Sequence, residues 1–89
     1  MNRINNIFLD NLPTIDLHGL DRDTARVLTE DFIKENIKLK RNKIVIIHGV
    51  GEGILRKEVH QSLNKNNRVL SHKTDYFNRG ATVVELDIK

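Results

Sequence analysis

Two stretches, HGVGEGILR at positions 48–56 and DLHG at positions 16–19, determine how this chain is expected to fold. Each follows a short apolar run and precedes a pattern typical of a helix. We therefore expect both to lie at the exits of strands, where open α/β sheets bind their ligands. A glycine loop that opens a helix points backbone N–H groups at an anion, usually a phosphate. Together the stretches predict a small phosphate-handling module with acid–base groups beside it.

The apolar pattern predicts the element order β-α-β-α-β-β. Residues 14–18 alternate as a short strand, and the β-branched run at 44–47 is typical of a strand that pairs in parallel. Residues 68–74 and 81–88 predict the last two strands. Right-handed crossovers make the first two strands parallel. The expected fold is an α/β (α+β) two-layer sandwich over residues 14–89, in which two main helices cover a four-stranded mixed sheet.

Finer expectations concern the extension and the helices. Residues 1–13 read as an N-terminal extension whose apolar positions fall at helical spacing. Asp21 is expected to cap the first helix. The pair Asn66-Asn67 is expected to end the second helix, because asparagine tolerates the left-handed conformation. The expected core stripes comprise Ala25, Leu28, Phe32 and Leu39 on the first helix, and Leu55, Val59 and Leu63 on the second.

Composition narrows the classes of protein. The 89 residues make one domain with a small core, and the net charge of +3 is compatible with nucleic acid as a partner. The absence of cysteine excludes disulfides and thiolate metal sites. No apolar run approaches the roughly 18 residues that a membrane span needs. The first twelve residues lack the apolar stretch of a signal peptide, so a cytoplasmic location is expected.

The glycine loop does not match two common nucleotide-binding motifs. The dinucleotide fingerprint requires a glycine where Ile54 stands, and the Gly-Lys-Ser/Thr of the Walker loop is absent. The loop keeps Gly49, Gly51 and Gly53 in alternation, with Arg56 one turn into the helix, where it could grip a phosphate bidentately. The alternative interpretation is a tight strand-to-helix turn followed by a solvated arginine.

The acid–base candidates are Asp16, His18 and His48. Asp16 and His18 are two residues apart on one strand, so the carboxylate could orient the imidazole as general base or acid. His48 lies between an apolar strand and the glycine loop. Taken singly, these residues could also be a backbone-capping aspartate and two polar strand ends. Together they could instead take Zn²⁺, Mn²⁺ or Fe²⁺, although no feature of the sequence requires a metal or other cofactor.

The remaining aromatic and histidine residues are interpreted one by one. Tyr76 and Arg79, in the loop before the last strand, could stack a base beside the phosphate site. Phe77 is interpreted as a plug at the sheet edge. His60 is expected to be solvated beside the core stripe of its helix, and His72 is given no role.

These motifs make the chain resemble the Smr (small MutS-related) domain family over about residues 14–86. The resemblance rests on Asp-Leu-His-Gly at 16–19, His-Gly-x-Gly-x-Gly-x-Leu-Arg at 48–56 and the closing strand ATVVEL at 81–86. It implies a fold similar to the C-terminal domain of a bacterial translation initiation factor. It also implies binding, and often endonucleolytic cleavage, of DNA or RNA. The site residues it implies are Asp16, His18, His48, Gly49, Gly51, Gly53 and Arg56.

Some members of that family act on messenger RNA at stalled ribosomes, so a ribosome is a further partner that the resemblance implies. Many members carry several glycines in the loop before the last strand, whereas residues 75–80 here contain one. This difference leaves the choice of substrate open.

The predicted function is an endonuclease that favours RNA over DNA. Two histidines suit cleavage through the 2′-hydroxyl, one taking its proton and the other protonating the leaving oxygen. Asp16 would orient His18, while the loop amides and Arg56 would hold the phosphate. DNA lacks that nucleophile and would need an activated water, which is usually metal-assisted. The alternatives are a nucleic-acid-binding module without catalysis and an adaptor that docks on a ribosome or another protein.

Overall fold

The computed structural model describes residues 12–89. The helical turn expected from Ile4, Ile7 and Phe8 lies outside these residues. The predicted order β-α-β-α-β-β is confirmed, and no helix of the described part is long and apolar enough to cross a membrane. The elements are β1 (Thr14–Asp16), α1 (Arg22–Lys38), β2 (Lys43–Ile47), α2 (Ile54–Lys65), β3 (Val69–Thr74) and β4 (Ala81–Leu86).

The four strands form one mixed sheet in the order β1-β2-β4-β3. β1 runs parallel to β2, with Asp16 opposite Ile47, whereas β4 runs antiparallel to both β2 and β3. The β-branched run therefore occupies a central strand, as its continuous apolar character indicates. Because β1 and β2 are parallel neighbours, their exits meet at one edge of the sheet, which is the arrangement that the sequence predicts.

Both helices pack on the same face of the sheet and enclose a single core. Burying one valine, leucine or isoleucine side chain contributes about 1.5–3 kcal/mol to the free energy of folding. The buried core therefore provides most of the free energy that favours the folded state in a chain of this size. It also fixes both helices relative to the sheet edge. The buried members are Leu17, Ala25, Ile33, Ile44, Ile46, Val59, Leu63, Val84 and Leu86.

Helix α1 begins where the sequence predicts. The Asp21 carboxylate accepts a hydrogen bond of 2.7 Å from the backbone N–H of Thr24, which lowers the pKa of Asp21. The predicted core stripe is wrong at one end, because Leu39 is 51% exposed. The helix ends at Lys38, and Lys40 then adopts a positive φ of 61° that turns the chain away from the core.

Polar side chains fill two buried positions on α1 that the apolar pattern does not identify. Thr29 donates to the carbonyl of Ala25 at 2.7 Å, and Asn36 donates to that of Phe32 at 2.8 Å. Both side chains are fully buried and use the backbone of their own helix as partner.

Helix α2 ends before Asn66, as predicted, but not for the predicted reason. Asn66 has an extended backbone with φ −93° and ψ 115° rather than a left-handed one. Its side chain instead accepts a hydrogen bond of 2.9 Å from the backbone N–H of Arg68, which directs the chain into β3.

Candidate nucleic-acid-binding cleft

Strand alternation decides which of the two motif histidines reaches solvent. Leu17, directly after β1, and Ile46 on β2 are buried in the core, and the alternation of the parallel pair continues past both strand ends. His18 therefore lies on the outer side with Asp16, whereas His48 continues the inward row of Ile46. The structure agrees, since His48 is 3% exposed while 70% of the His18 side chain is exposed.

Asp16 and His18 form a hydrogen-bonded pair just after β1, which ends at Asp16 rather than at His18. Nδ1 of His18 lies 2.6 Å from Oδ1 of Asp16, and the same oxygen accepts the backbone N–H of His18 at 3.1 Å. The side-chain hydrogen bond is the main cause of the lowered pKa of Asp16. Because an ionised carboxylate only accepts, this hydrogen bond requires a proton on Nδ1 of His18, and in a neutral ring Nε2 is then the proton acceptor.

The glycine loop lies directly against this pair. Gly49, Gly51 and Gly53 have φ values of +82°, +37° and +81°, which explains their alternation because other residues rarely adopt these angles. A Cβ atom on Gly49 would lie 3.2 Å from Cβ of His18. The structure thus brings the DLHG and HGVGEGILR stretches together at one edge of the sheet.

Gly80 is a site residue that the sequence analysis missed. Its carbonyl accepts hydrogen bonds from the backbone N–H groups of His48 at 2.8 Å and of Gly49 at 3.0 Å. A Cβ atom on Gly80 would lie 3.1 Å from Cα and from C of Gly49. The signal was a lone glycine immediately before a buried strand, where backbones approach closely.

A cleft of about 570 Å³ opens between the N-terminal ends of the two helices. The N-terminus of α1 is capped by the side chain of Asp21. Within residues 12–89, no side chain caps the N-terminus of α2, and the first turn of α2 contains no acidic residue. An anion can therefore satisfy the free N–H groups of α2. The cleft is lined by residues 18–22 and 48–56.

A second cavity of about 490 Å³ lies on the other side of the glycine loop. Arg56 lines both cavities, whereas Arg79 lines only this one. Arg56 donates a long hydrogen bond of 3.4 Å to Thr74 and is exposed, so its guanidinium can reach a ligand. The two arginines are therefore placed to hold neighbouring phosphates on either side of the loop.

The aromatic pair of the 75–80 loop lies away from the first cleft. Phe77 is 69% exposed and packs edge-to-face on Tyr76, with 4.8 Å between the ring centroids. The interpretation of Phe77 as a plug at the sheet edge is therefore wrong. Tyr76 is 88% exposed and lines a cavity with Lys43 and Lys73 on the helix-free face of the sheet. The structure does not bring Tyr76 to the Asp16–His18 pair.

His48 uses both ring nitrogens inside the protein. Nδ1 lies 2.9 Å from the carbonyl oxygen of Gly49, and Nε2 lies 2.8 Å from Oγ1 of Thr82. Burial lowers the pKa of His48. The ring would have to leave both partners to reach a phosphate in the cleft. Within residues 12–89, no three histidine, aspartate or glutamate side chains converge as a metal site.

His60 is not solvated, contrary to the prediction. Its ring is half-buried, with Nε2 3.0 Å from Oγ1 of Thr82, and its centroid lies 6.0 Å from that of His48 and 4.9 Å from that of His72. Burial and the neighbouring His72 lower the pKa of His60. The missed signal was the four-residue spacing of Arg56, His60 and Asn64, which places three polar side chains on one face of α2.

Acid is expected to destabilise the folded chain below about pH 6.5, the ordinary pKa of histidine. Burial and the nearby Arg56 lower the pKa values of His48 and His60, and His72 lowers that of His60 further, so the unfolded chain takes up their protons first. The free energy of unfolding should be level above pH 7.5 and fall from pH 6.5 to 5.5, by at most about 1.4 kcal/mol per pH unit for each proton. Urea unfolding at constant ionic strength measures this.

The lowered pKa values of Asp16 and Asp21 act only below about pH 4, so the range above pH 5 isolates the histidines. His60→Gln should flatten the slope. A stability that is constant, or rises, between pH 6.5 and 5.5 would contradict the assignment of neutral buried histidines.

Comparison with known proteins places this chain among the small MutS-related domains. The family described as Smr domain matches residues 15–87. The chain is 32% identical over 76 residues to the endonuclease MutS2 of Clostridium perfringens (strain SM101 / Type A), covering 85% of this chain and 10% of that protein. It is 37% identical over 76 residues to the endonuclease MutS2 of Clostridium acetobutylicum, covering 82% and 10%. The chain thus spans about a tenth of the length of these curated relatives.

Solved structures agree with this assignment. The Smr domain of Thermus thermophilus MutS2 superposes with a TM-score of 0.81 at 28% identity, covering 84% of this chain and 98% of that one. YdaL, a stand-alone small MutS-related protein from Escherichia coli, has a TM-score of 0.79 at 23% identity, covering 82% and 63%. The likeness to YdaL shows the fold alone.

Proposed function

The chain belongs to the Smr domain family, and we propose that it is a nucleic-acid-binding endonuclease that cleaves RNA in preference to DNA. The observation that carries this proposal is the Asp16–His18 pair, which is accessible and lies in contact with a phosphate-type glycine loop. A general base must stand within reach of the proton that it abstracts, and this arrangement places a base beside a phosphate position. The naming of its relatives as endonucleases supports the same reaction.

In the proposed reaction, Nε2 of His18 takes the proton of the 2′-hydroxyl. The freed oxygen attacks the adjacent phosphorus and forms a 2′,3′-cyclic phosphate, while the bond from phosphorus to the 5′-oxygen breaks. The proton then passes from His18 to that leaving oxygen, so the step is balanced without a co-reactant. Asp16 stabilises the intermediate imidazolium through the 2.6 Å hydrogen bond to Nδ1.

The proposal gives His48 a different part from that in the two-histidine scheme of the sequence analysis. Because both ring nitrogens of His48 are bonded inward, proton transfer falls to His18. His48 instead holds the carbonyl of Gly49 and thereby the start of the glycine loop.

The phosphate would be held by the loop and by the N-terminus of α2. No atom lies within 4 Å of where a Cβ on Gly51 or Gly53 would stand, so a phosphate can approach the loop backbone there, and Arg56 adds positive charge to both cavities. Such groups stabilise the charge that develops on the phosphate during reaction. Arg79 would bind the next phosphate along the nucleic-acid strand. Tyr76 would contact a base only beyond that phosphate.

Arg56→Ala is expected to weaken binding of a single-stranded RNA about tenfold at moderate salt, because one phosphate contact is lost. The slope of log affinity against log salt concentration should fall by about 0.7–0.9, the value for one contact. Fluorescence anisotropy at four salt concentrations measures both quantities. Arg41→Ala, an exposed arginine after α1, is the matched control. An equal loss in both variants would show a non-specific charge effect and contradict the assigned contact.

The direct test of function is incubation of the purified chain with end-labelled RNA and DNA oligonucleotides of one sequence, with EDTA and with added Mg²⁺ or Mn²⁺. The proposal predicts RNA cleavage that persists in EDTA and is slowed by about 10²-fold or more in His18→Asn. Cleavage only with added metal would replace the 2′-hydroxyl mechanism by a metal-assisted one. No cleavage of an RNA that the protein binds would overturn the nuclease proposal for naked RNA.

A binding module without catalysis is the second candidate. It is favoured by one observation, namely that both ring nitrogens of His48 are bonded inside the protein, which leaves only His18 of the two motif histidines with a ring nitrogen available to a ligand. This candidate predicts that His18→Asn binds RNA as the wild type does and that neither protein cuts. Cleavage of ribosome-bound RNA alone would instead support a ribosome as the partner that presents the substrate.

A further inference from the structure

A buried polar chain runs beneath the glycine loop, from His60 on α2 through Thr82 on β4 to His48 and the Gly49 carbonyl. Thr82 is fully buried and His48 nearly so. We propose that Thr82 and His60 are positioning residues that hold His48 in one neutral tautomer and, through it, hold the glycine loop in its phosphate-binding shape. The phosphate-binding part of this inference rests on the proposed function.

The direction of each hydrogen bond follows from what its atoms can donate. A carbonyl only accepts, so the 2.9 Å contact between Gly49 and His48 requires the proton on Nδ1. Nε2 of the neutral ring then accepts, and the Thr82 hydroxyl donates to it at 2.8 Å. Having donated its single hydrogen, Oγ1 of Thr82 accepts from Nε2 of His60 at 3.0 Å. Each hydrogen bond of the polar chain therefore donates in the same direction, from His60 toward Gly49.

Protonation of His48 would disrupt this chain. A second ring N–H would face Oγ1 of Thr82, whose hydrogen would then have to turn toward Nε2 of His60, so His60 would have to move its own proton to Nδ1. The charges that face the two rings also oppose protonation, since Arg56 acts on both and His72 acts on His60. The direction of hydrogen-bond donation from His60 to Gly49 thus requires a neutral His48.

The polar chain sets the loop through one peptide plane. Because a trans peptide points its C=O and N–H in opposite directions, holding the Gly49 carbonyl on His48 turns the N–H of Val50 away from the ring. Val50 lines both cavities at the loop. The backbone N–H groups of His48 and Gly49 donate to the carbonyl of Gly80, which holds the start of the loop to the residue directly before β4.

The test is ¹⁵N NMR of the histidine rings in the free protein, because imidazole nitrogen shifts separate protonated from unprotonated nitrogens. At pH 7.5 the wild type should show His48 protonated on Nδ1 only and His60 on Nε2 only. His48 protonated on Nε2, or averaged between both forms, would overturn the proposal. This measurement needs no variant and no nucleic acid, so its outcome is independent of cleavage and binding.

Two substitutions at Thr82 separate the hydroxyl from the shape of the side chain. Thr82→Val keeps the shape and removes the hydroxyl, whereas Thr82→Ser keeps the hydroxyl. Thr82→Val should average the His48 tautomers, shift the amide signals of residues 49–53 and weaken single-stranded RNA binding about tenfold, since buried partners lose their hydrogen bonds. Thr82→Ser should restore all three readouts.

A folded Thr82→Val protein with the wild-type His48 pattern and affinity would overturn the proposal. His60→Phe is a second variant, which removes only the donor to Thr82 and should loosen His48 less than Thr82→Val does. A wild type with His48 protonated on Nδ1 only and His60 on Nε2 only that nevertheless binds no RNA would support the polar chain and refute the proposed function.

Discussion

Replacing His18 by asparagine is expected to slow RNA cleavage by about 10²- to 10⁴-fold, the usual contribution of a positioned general base. The amide of asparagine can still donate to Asp16, so the geometry after β1 is kept while the proton acceptor is lost. Because 70% of the His18 side chain is exposed, the core is untouched and stability should change little. Single-turnover cleavage of an end-labelled RNA measures the rate.

Two controls accompany this variant. Its RNA affinity and thermal midpoint should equal those of the wild type within error, since asparagine keeps the Cβ that lies against Gly49 and the imidazole ring itself is not assigned to binding. Asp16→Asn should have a smaller effect on cleavage, because it weakens the orientation of the imidazole without removing it. Cleavage by His18→Asn at more than half the wild-type rate would contradict a general-base role for His18.

Gly49→Ala is expected to destabilise the chain and to abolish most of its RNA binding. Alanine at φ +82° costs about 1–2 kcal/mol, and its Cβ would lie 3.2 Å from Cβ of His18, which has to move. The loop and the Asp16–His18 pair would be displaced together. Urea unfolding and fluorescence anisotropy measure the two effects.

Gly19→Ala is the matched control, because Gly19 has the same φ of +82° with nothing within 4 Å of the added Cβ. It should show the backbone strain alone, with RNA affinity reduced much less than in Gly49→Ala. Equal losses of affinity in both variants would mean that the contact between the glycine loop and His18 has no part in binding.

The fold was largely predictable because its signals are local. The alternation of residues 14–18, the β-branched run at 44–47 and the capping aspartate at 21 each depend on a few neighbouring residues. The parallel pairing of β1 and β2 followed from the handedness of crossovers. Leu39 was misassigned because α1 ends one residue earlier than its apolar pattern, where Lys40 takes a left-handed turn.

The site was predictable only in part, because several of its contacts join distant segments. Asp16, His18 and the glycines were identified from spacing, but the hydrogen bond between Thr82 and His48 spans 34 residues and that to His60 spans 22. The antiparallel register of β4 sets these contacts, and that register cannot be read from the sequence. The inward direction of His48 was available from strand alternation, since it continues the row of Ile44 and Ile46.

The most direct test of the central claim uses one RNA strand and the same strand with a single 2′-deoxy nucleotide at the cleavage site, both in EDTA. The account predicts that the RNA is cut to a product ending in a 2′,3′-cyclic phosphate and that the 2′-deoxy strand is not cut at that position. Cleavage of both strands with 3′-hydroxyl ends would contradict attack by the 2′-oxygen, and with it the role assigned to the Asp16–His18 pair.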